Sequence, residues 1–159
     1  MDLEYFLRKG LISKIIETEL TRYLNFFENT SKENIEHCKA CIENFPRWSI
    51  ISGYYAMHDL TKLFLAKNFR IKIEYKVHKT AIQILKAISA DKEILSLLKT
   101  GYKEFIEMAN DLSEAKRERT KAQYYTGTEF MKEKYKEKAK GFLSNVVIPY
   151  VNKLKETIK

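Results

Sequence analysis

Residues 46–69 decide the fold, and they read PRWSIISGYYAMHDLTKLFLAKNF. This is the longest apolar block of the chain, and its large side chains surround the axis of any helix drawn through it. A helix that is apolar on nearly every side belongs in the middle of a helix bundle. Polar residues at i, i+3, i+4 and i+7 nevertheless share one face of that helix: Tyr55, His58, Asp59 and Lys62.

This polar stripe must be satisfied by protein groups, water or a ligand. Three interpretations are open: a helix–helix or dimer seam, contact with a nucleotide or RNA, and acid–base catalysis by His58 and Asp59. Adjacent helical residues point about 100° apart and do not easily bond each other. We therefore favour the seam, in which Asp59 and Lys62 pair with groups of another helix or another subunit.

The composition indicates an all-α protein with long elements. The chain has 159 residues but only 5 glycines and 2 prolines, with 45% hydrophobic and 31% charged residues. This length suits one domain over residues 1–159, with an N-terminal helix over 1–29 that is interrupted near Gly10. We predict an antiparallel up-and-down bundle of five to six helices.

Local signals place the helix boundaries. Thr30 with Glu33 and Thr126 with Glu129 form capping boxes, so both threonines predict helix starts. Asp91 is a candidate N-cap, and Pro149 predicts a kink in the last helix. Residues 70–77 alternate polar and apolar side chains, which fits a short extended piece, although we prefer a loop between two helices.

The chain is basic, with a formal net charge of +8. This favours polyanionic partners such as RNA or nucleotides, or it reflects a lysine-rich solubilising surface. The most specific basic segment follows residue 116, where guanidinium and ammonium groups precede aromatic rings that can stack on a base. Its candidate binding residues are Arg117, Arg119, Lys121, Gln123 and Tyr124. The lysine run that follows, KEKYKEKAK, is typical of a solvated helix face.

Other chemistries have little support. Cys38 and Cys41 form a single CxxC pair, which we interpret as buried free thiols rather than a metal or redox site. We predict no metal and no cofactor. The N-terminus lacks the apolar region of a signal peptide, and no run reaches the roughly 18 apolar residues needed to span a bilayer. We therefore expect a cytoplasmic protein without membrane contact.

Three segments together resemble the HEPN domain family: Gly53-Tyr54-Tyr55-Ala56-Met57 with Lys62, then His78, then Arg119 with Ala122-Gln123-Tyr124. They are similar to the prokaryotic branch with a YYAM helix and an RxxADY-like motif. The resemblance covers about residues 30–155, which it makes the core of the domain. It implies an antiparallel helix bundle, commonly a homodimer, that binds nucleotides or RNA. Many members are toxins or defence ribonucleases paired with a nucleotidyltransferase-fold protein.

The match assigns nucleotide or RNA binding to the segment around Arg119, with Lys62, Tyr55 and His78 nearby, and makes Arg119 and Tyr124 the candidate catalytic residues. Ribonuclease members carry a histidine four to six residues after an arginine, whereas no histidine follows Arg119 in this chain. A ribonuclease would therefore need His58 or His78 to supply the base. The rival interpretation is a non-enzymatic module that binds a nucleotidyltransferase-fold partner.

Overall fold

The all-α prediction is confirmed by the computed structural model, which describes residues 2–89, 91–121 and 128–158. For residues 111–121 and 128–131 only the backbone is described. The chain runs through α1 (Leu3–Arg8), β1 (Ile12–Lys14), α2 (Glu17–Cys41), α3 (Pro46–Phe69), β2 (Ile71–Ile73), α4 (Val77–Ile88), α5 (Lys92–Lys121), α6 (Thr128–Phe142), a π-helical turn (Leu143–Val147) and α7 (Ile148–Thr157). Two short strands are the only sheet in the described part of the chain.

The N-terminal segment differs from the predicted helix over 1–29. Gly10 adopts a left-handed φ of 65°, which ends α1 and turns the chain into a strand instead of back into helix. Strand β1 pairs antiparallel with β2, with Ile12 opposite Ile73. The preference for a loop over 70–77 was therefore wrong for residues 71–73. Arg70 makes the connection possible because its left-handed φ of 56° turns the chain sharply at the end of α3.

Helix α2 is continuous through the segment where Thr30 and Glu33 predicted a new start. The segment contains no glycine or proline to break it. Ser31 donates to the Glu28 carbonyl at 3.0 Å, and Lys32 pairs with Glu28 one turn away. Local bonds within the helix thus replace the predicted cap.

The other boundaries follow the sequence more closely. Helix α3 begins at Pro46, where a missing N–H costs nothing. Asp91 accepts bonds from the N–H groups of Glu93 and Ile94 and so caps α5, as predicted. Pro149 lies just after the π-helical turn, because its ring cannot supply the N–H that a regular helix needs there. The Thr126–Glu129 capping box lies outside the described residues.

The long helices meet α3 in opposite senses. Asn34 of α2 contacts Asp59 and Cys38 contacts Ser49, so α2 and α3 are antiparallel. Contacts of Tyr54 with Phe105, and of Met57 with Gly101, make α5 antiparallel to α3 as well. Helix α7 runs parallel to α3, since Thr61 meets Tyr150 and Asn68 meets Thr157. The most buried helix therefore touches α2, α5 and α7 on different sides.

Candidate functional site

The polar stripe of α3 divides between two grooves. Asp59 and Lys62 face α2, where the Asn34 amide donates to the Asp59 carboxylate at 3.1 Å and the Lys62 ammonium lies 4.8 Å from the centre of the Phe27 ring. His58 faces α4, and its ring centre lies 4.6 Å from that of His78. The stripe is thus a seam between helices of one chain, while its role at a subunit interface stays a prediction.

His58 is the most unusual polar group of the core. Its side chain is only 1% exposed, and neither ring nitrogen has a hydrogen-bond partner among the described residues. Its neighbour His78 is half-buried and does have one, because His78 Nδ1 and the Tyr54 hydroxyl lie 2.8 Å apart. Buried polar atoms in native proteins are nearly always bonded, so an orphaned imidazole requires an explanation.

Aromatic rings of α3 and α5 enclose the two histidines. Tyr54 stacks on Phe105 with ring centres 4.8 Å apart, and Tyr102 stacks on His78 at 5.7 Å. Tyr55 meets both His78 and Phe105 edge-on. Gly101 permits this approach of α5, because a β-carbon there would lie 2.9 Å from the Met57 sulfur. We call His58, His78, Tyr54, Tyr55 and Lys62 the histidine cluster.

The electrostatics of the cluster follow from burial and from Lys62. Burial, Lys62 and His78 together lower the pKa of His58 to about 2, so its ring is neutral. Burial and Lys62 also lower the pKa of His78. Burial lowers the pKa of Lys62, and Asp59 opposes that shift. Both histidines therefore lie in a positive potential that favours an anion, and clustered perturbed groups of this kind are typical of functional sites.

Unused hydrogen-bonding groups converge in the cluster. Within the described part of the chain, the Lys62 ammonium has no carboxylate within ion-pairing distance, and the Tyr55 hydroxyl has no hydrogen-bond partner. Asp59 does not occupy them, since burial raises its pKa and it accepts from Asn34 instead. The arrangement can therefore offer two imidazoles, an ammonium and a phenol to a ligand.

The predicted arginine–tyrosine segment lies largely beyond the described side chains. Arg117, Arg119 and Lys121 belong to the last turns of α5, of which the backbone alone is described. Gln123 and Tyr124 lie outside the described residues. Twelve helical residues separate Phe105 from Arg117, or about 18 Å along the axis at the rise of an α-helix. Whether this segment shares a cleft with Lys62 stays a prediction.

Helix α6 uses its lysines internally. Lys136 and Lys140 both pair with Glu43 at the end of α2, while Lys138 pairs with Glu104 and Glu107 of α5. The sequence suggested a solvated helix face for the lysine run. In the structure, this part of the run also forms ion pairs that join α6 to neighbouring segments. Near α4 the situation is different: Lys76 and Lys79 are exposed and have no carboxylate within ion-pairing distance among the described residues.

The two thiols are free and buried, as predicted. Burial raises the pKa of Cys38, which disfavours the reactive thiolate. The Nε2 atom of His37 nevertheless lies 3.4 Å from the Cys41 sulfur, because the two residues are one turn apart on α2. No group of three metal-ligating side chains occurs among the described residues.

Sequence reasoning named His58, His78, Tyr55 and Lys62 but missed the residues that build their walls. Tyr54, Tyr102 and Phe105 fit the apolar periodicity of their helices, and the sequence therefore assigned them to the core. The only available signal was that His78 opens a helix directly after a basic, alternating segment. Side-chain contacts between distant helices carry no signature in a single sequence.

Comparison with protein-family models, curated proteins and solved structures finds no match to this chain. In the described part of the chain, no helix combines the length and apolar character needed to cross a membrane.

Proposed function

We propose that the chain is a HEPN-like protein of a toxin–antitoxin or defence system that binds RNA or a nucleotide, and that the histidine cluster is its binding site. The observation that carries the proposal is the convergence of polar side chains from separate segments: the unpaired imidazole of His58 and the phenol of Tyr55 on α3 with His78 of α4. Their surroundings are aromatic and positive, which suits a phosphate and a stacked base.

A basic aromatic surface adjoins the cluster. Tyr75 is 62% exposed, and the Lys76 ammonium lies 5.7 Å from the centre of its ring. Lys79 follows His78 directly on the first turn of α4, which contains no acidic residue. An exposed ring flanked by free lysines fits single-stranded RNA, whose backbone is negative and whose bases stack. The family resemblance adds Arg117, Arg119, Lys121, Gln123 and Tyr124 as further candidate contacts to the RNA.

The test is RNA binding as a function of salt. We expect a steep loss of affinity for a single-stranded oligonucleotide with rising salt, because binding releases counterions. Changing both Lys76→Ala and Lys79→Ala should weaken binding and reduce the slope of log affinity against log salt by about 0.7 per lysine. Lys86→Ala with Lys99→Ala removes the same charge from exposed positions elsewhere on α4 and α5 and is the control. Equal losses in both double variants contradict the proposed surface.

Cleavage of RNA is the enzymatic form of this proposal. His78 is the histidine that can meet a substrate, because His58 is enclosed while His78 is half-buried. Its Nδ1 is held by Tyr54, and its lowered pKa keeps the ring neutral and able to accept a proton from a ribose hydroxyl. The family resemblance assigns stabilisation of the developing negative charge to Arg119, with Tyr124 as the second candidate catalytic residue.

A metal-free cleavage assay separates enzyme from binder. His78→Asn and Arg119→Ala should each abolish cleavage, whereas His37→Asn, which changes an exposed histidine of α2, should not. Cleavage that persists in both His78→Asn and Arg119→Ala refutes the catalytic assignment. RNA binding without any cleavage leaves the protein as a binder.

The second candidate is an interaction module that forms a homodimer or binds a nucleotidyltransferase-fold partner. It is favoured by two large exposed side chains at the corner between α2 and α3, Phe45 at 62% and Trp48 at 51% exposure. Exposed apolar groups that lie close together are typical of protein interfaces. Light scattering measures the molecular mass of the wild type and of the double variant Phe45→Ser, Trp48→Ser. A wild-type dimer that becomes a monomer in the variant supports this interface.

A further inference from the structure

The two cysteines of α2 lie one turn apart and have different partners. The Cys38 sulfur is fully buried and lies 3.5 Å from the Ser49 hydroxyl, which itself donates to the Cys38 carbonyl at 2.6 Å. The Cys41 sulfur lies 3.4 Å from Nε2 of His37, a residue that is exposed. One thiol therefore faces a hydroxyl inside the core, and the other faces an imidazole at the surface of the helix.

A chain of hydrogen bonds fixes which nitrogen of His37 can act as a base. The Ser52 hydroxyl donates to the Trp48 carbonyl at 2.8 Å, so its oxygen is left to accept. His37 Nδ1 lies 2.5 Å from that oxygen and therefore carries the ring proton. The lone pair of the neutral ring is then on Nε2. This nitrogen is also the nearer of the two to the Cys41 sulfur, at 3.4 Å against 3.7 Å for Nδ1.

Thiol chemistry in proteins recurrently uses a nucleophile, a base that deprotonates it and a third group that orients the base. Cys41, His37 and Ser52 supply these three parts from two helices, α2 and α3. Cys38 faces the Ser49 hydroxyl instead of an imidazole, and burial raises its pKa, which disfavours the thiolate. Cys41 is therefore the member of the pair that is arranged for reaction.

The burial of Cys41 selects the electrophile. The residue is 8% exposed, which leaves little access for a bulky disulfide, whereas hydrogen peroxide is a molecule close to water in size. We propose that hydrogen peroxide oxidises Cys41 to a sulfenic acid, with His37 as the acid–base group and Ser52 as the residue that positions it. The site lies between α2 and α3, apart from the histidine cluster, and the inference goes beyond the proposed RNA binding.

The atoms and electrons of this reaction balance. The thiol proton passes to His37 Nε2, and the Cys41 sulfur attacks one oxygen of the peroxide. The S–O bond forms while the O–O bond breaks, and the leaving hydroxide takes the proton from Nε2 to become water. Sulfur is oxidised and the peroxide is reduced, so a thiol and hydrogen peroxide give a sulfenic acid and water. His37 ends as it began, neutral and with Nδ1 bonded to Ser52.

The direct experiment is treatment of the full, reduced chain with hydrogen peroxide and dimedone, which traps sulfenic acids. Trypsin cuts after Lys39 and so places the two cysteines on separate peptides for mass spectrometry. We expect the dimedone adduct on Cys41, with Cys38 as the unlabelled internal control.

The same reaction in urea supplies the reference rate for an unassisted thiol. At neutral pH, Cys41 should react about tenfold faster or more in the folded chain than in the unfolded one, because only the folded chain holds the base beside it. Labelling of Cys38 at the rate of Cys41, or a Cys41 that reacts no faster than in urea, overturns the proposal.

Variants separate acid–base catalysis from access to the sulfur. His37→Asn should slow the oxidation of Cys41 by about tenfold or more, and Ser52→Ala should slow it by less. Both changes remove contacts near the sulfur, and looser packing alone would speed the reaction, so a slower rate identifies the base. Cys38→Ala is the control and should match the wild type. Oxidation that is unchanged or faster in His37→Asn overturns the role of His37, whatever the outcome for RNA binding.

Discussion

Helix α3 buries polar groups on two faces that differ in how they are satisfied. Towards α7, the hydroxyls of Thr61 and Tyr150 lie 2.6 Å apart, and Thr61 donates to the Met57 carbonyl at 2.7 Å. Both residues are fully buried. Towards α4, His58 is equally buried but has no partner in the described part of the chain. We call these the α7 face and the histidine face.

The difference separates structural from functional burial. A closed chain of bonds, as on the α7 face, stabilises one arrangement of the helices and needs nothing from outside. An unpaired imidazole, as on the histidine face, stabilises nothing by itself. The histidine face is therefore the part of the helix that we associate with a ligand, and each prediction below asks for opposite behaviour of the two faces.

The largest expected effect comes from adding a methyl group to α3 where it packs against α6 and the π-helical turn that leads into α7. In Gly53→Ala the new β-carbon would lie 2.9 Å from Val147 Cγ2 and 3.1 Å from Phe142 Cε1, both in packed core. We expect the free energy of unfolding to fall by about 2–3 kcal/mol, because overpacking forces neighbouring helices apart. Urea denaturation measures it.

Gly101→Ala on the histidine face is the matched variant. Its β-carbon meets the end of the flexible Met57 side chain, which can move aside. The gain in helix propensity of about 1 kcal/mol should roughly offset this contact. If Gly101→Ala loses as much stability as Gly53→Ala, the histidine face is packed as tightly as the surroundings of Gly53, which contradicts this expectation.

The second prediction concerns pH. His58 has a pKa near 2 in the folded chain against a reference value of 6.5, so the unfolded chain binds the extra proton and stability falls as pH drops below 6.5. Between pH 6.5 and 5 this amounts to about 2 kcal/mol at 1.36 kcal/mol per unit. His58→Leu lacks this pH dependence, so its free energy of unfolding relative to the wild type should rise by about that amount between pH 6.5 and pH 5.

The measurement is urea denaturation at several pH values. At neutral pH, His58→Leu should be at least as stable as the wild type, since it removes two unpaired polar atoms. A His58→Leu variant that is markedly less stable at every pH would show that the imidazole is a structural element.

The two faces also show what the sequence could predict. The all-apolar girdle, the proline start and the i, i+3, i+4, i+7 stripe identified α3 and four polar residues of interest, because helical periodicity is local. The division of the stripe into two grooves depends on Asn34 and His78, which lie on other helices. Likewise, the strand at Ile12 forms because residues 71–73 pair with it. Helix α2 continues through Thr30 because no local contact stabilises a helix start there.

The smallest expected effect tests the comparison at the level of one hydroxyl on each face. Tyr150→Phe removes a buried partner of Thr61 and should lower the free energy of unfolding by about 1 kcal/mol, with no effect on RNA binding. Tyr55→Phe removes a hydroxyl that has no partner among the described residues and should change stability by less than about 0.5 kcal/mol. Because the Tyr55 ring lies edge-on to that of His78, loss of the Tyr55 hydroxyl should weaken RNA binding several-fold. Parallel urea denaturation and RNA titration of the two variants supply the measurement. Binding that is lost in Tyr150→Phe and retained in Tyr55→Phe would assign the functional role to the α7 face instead.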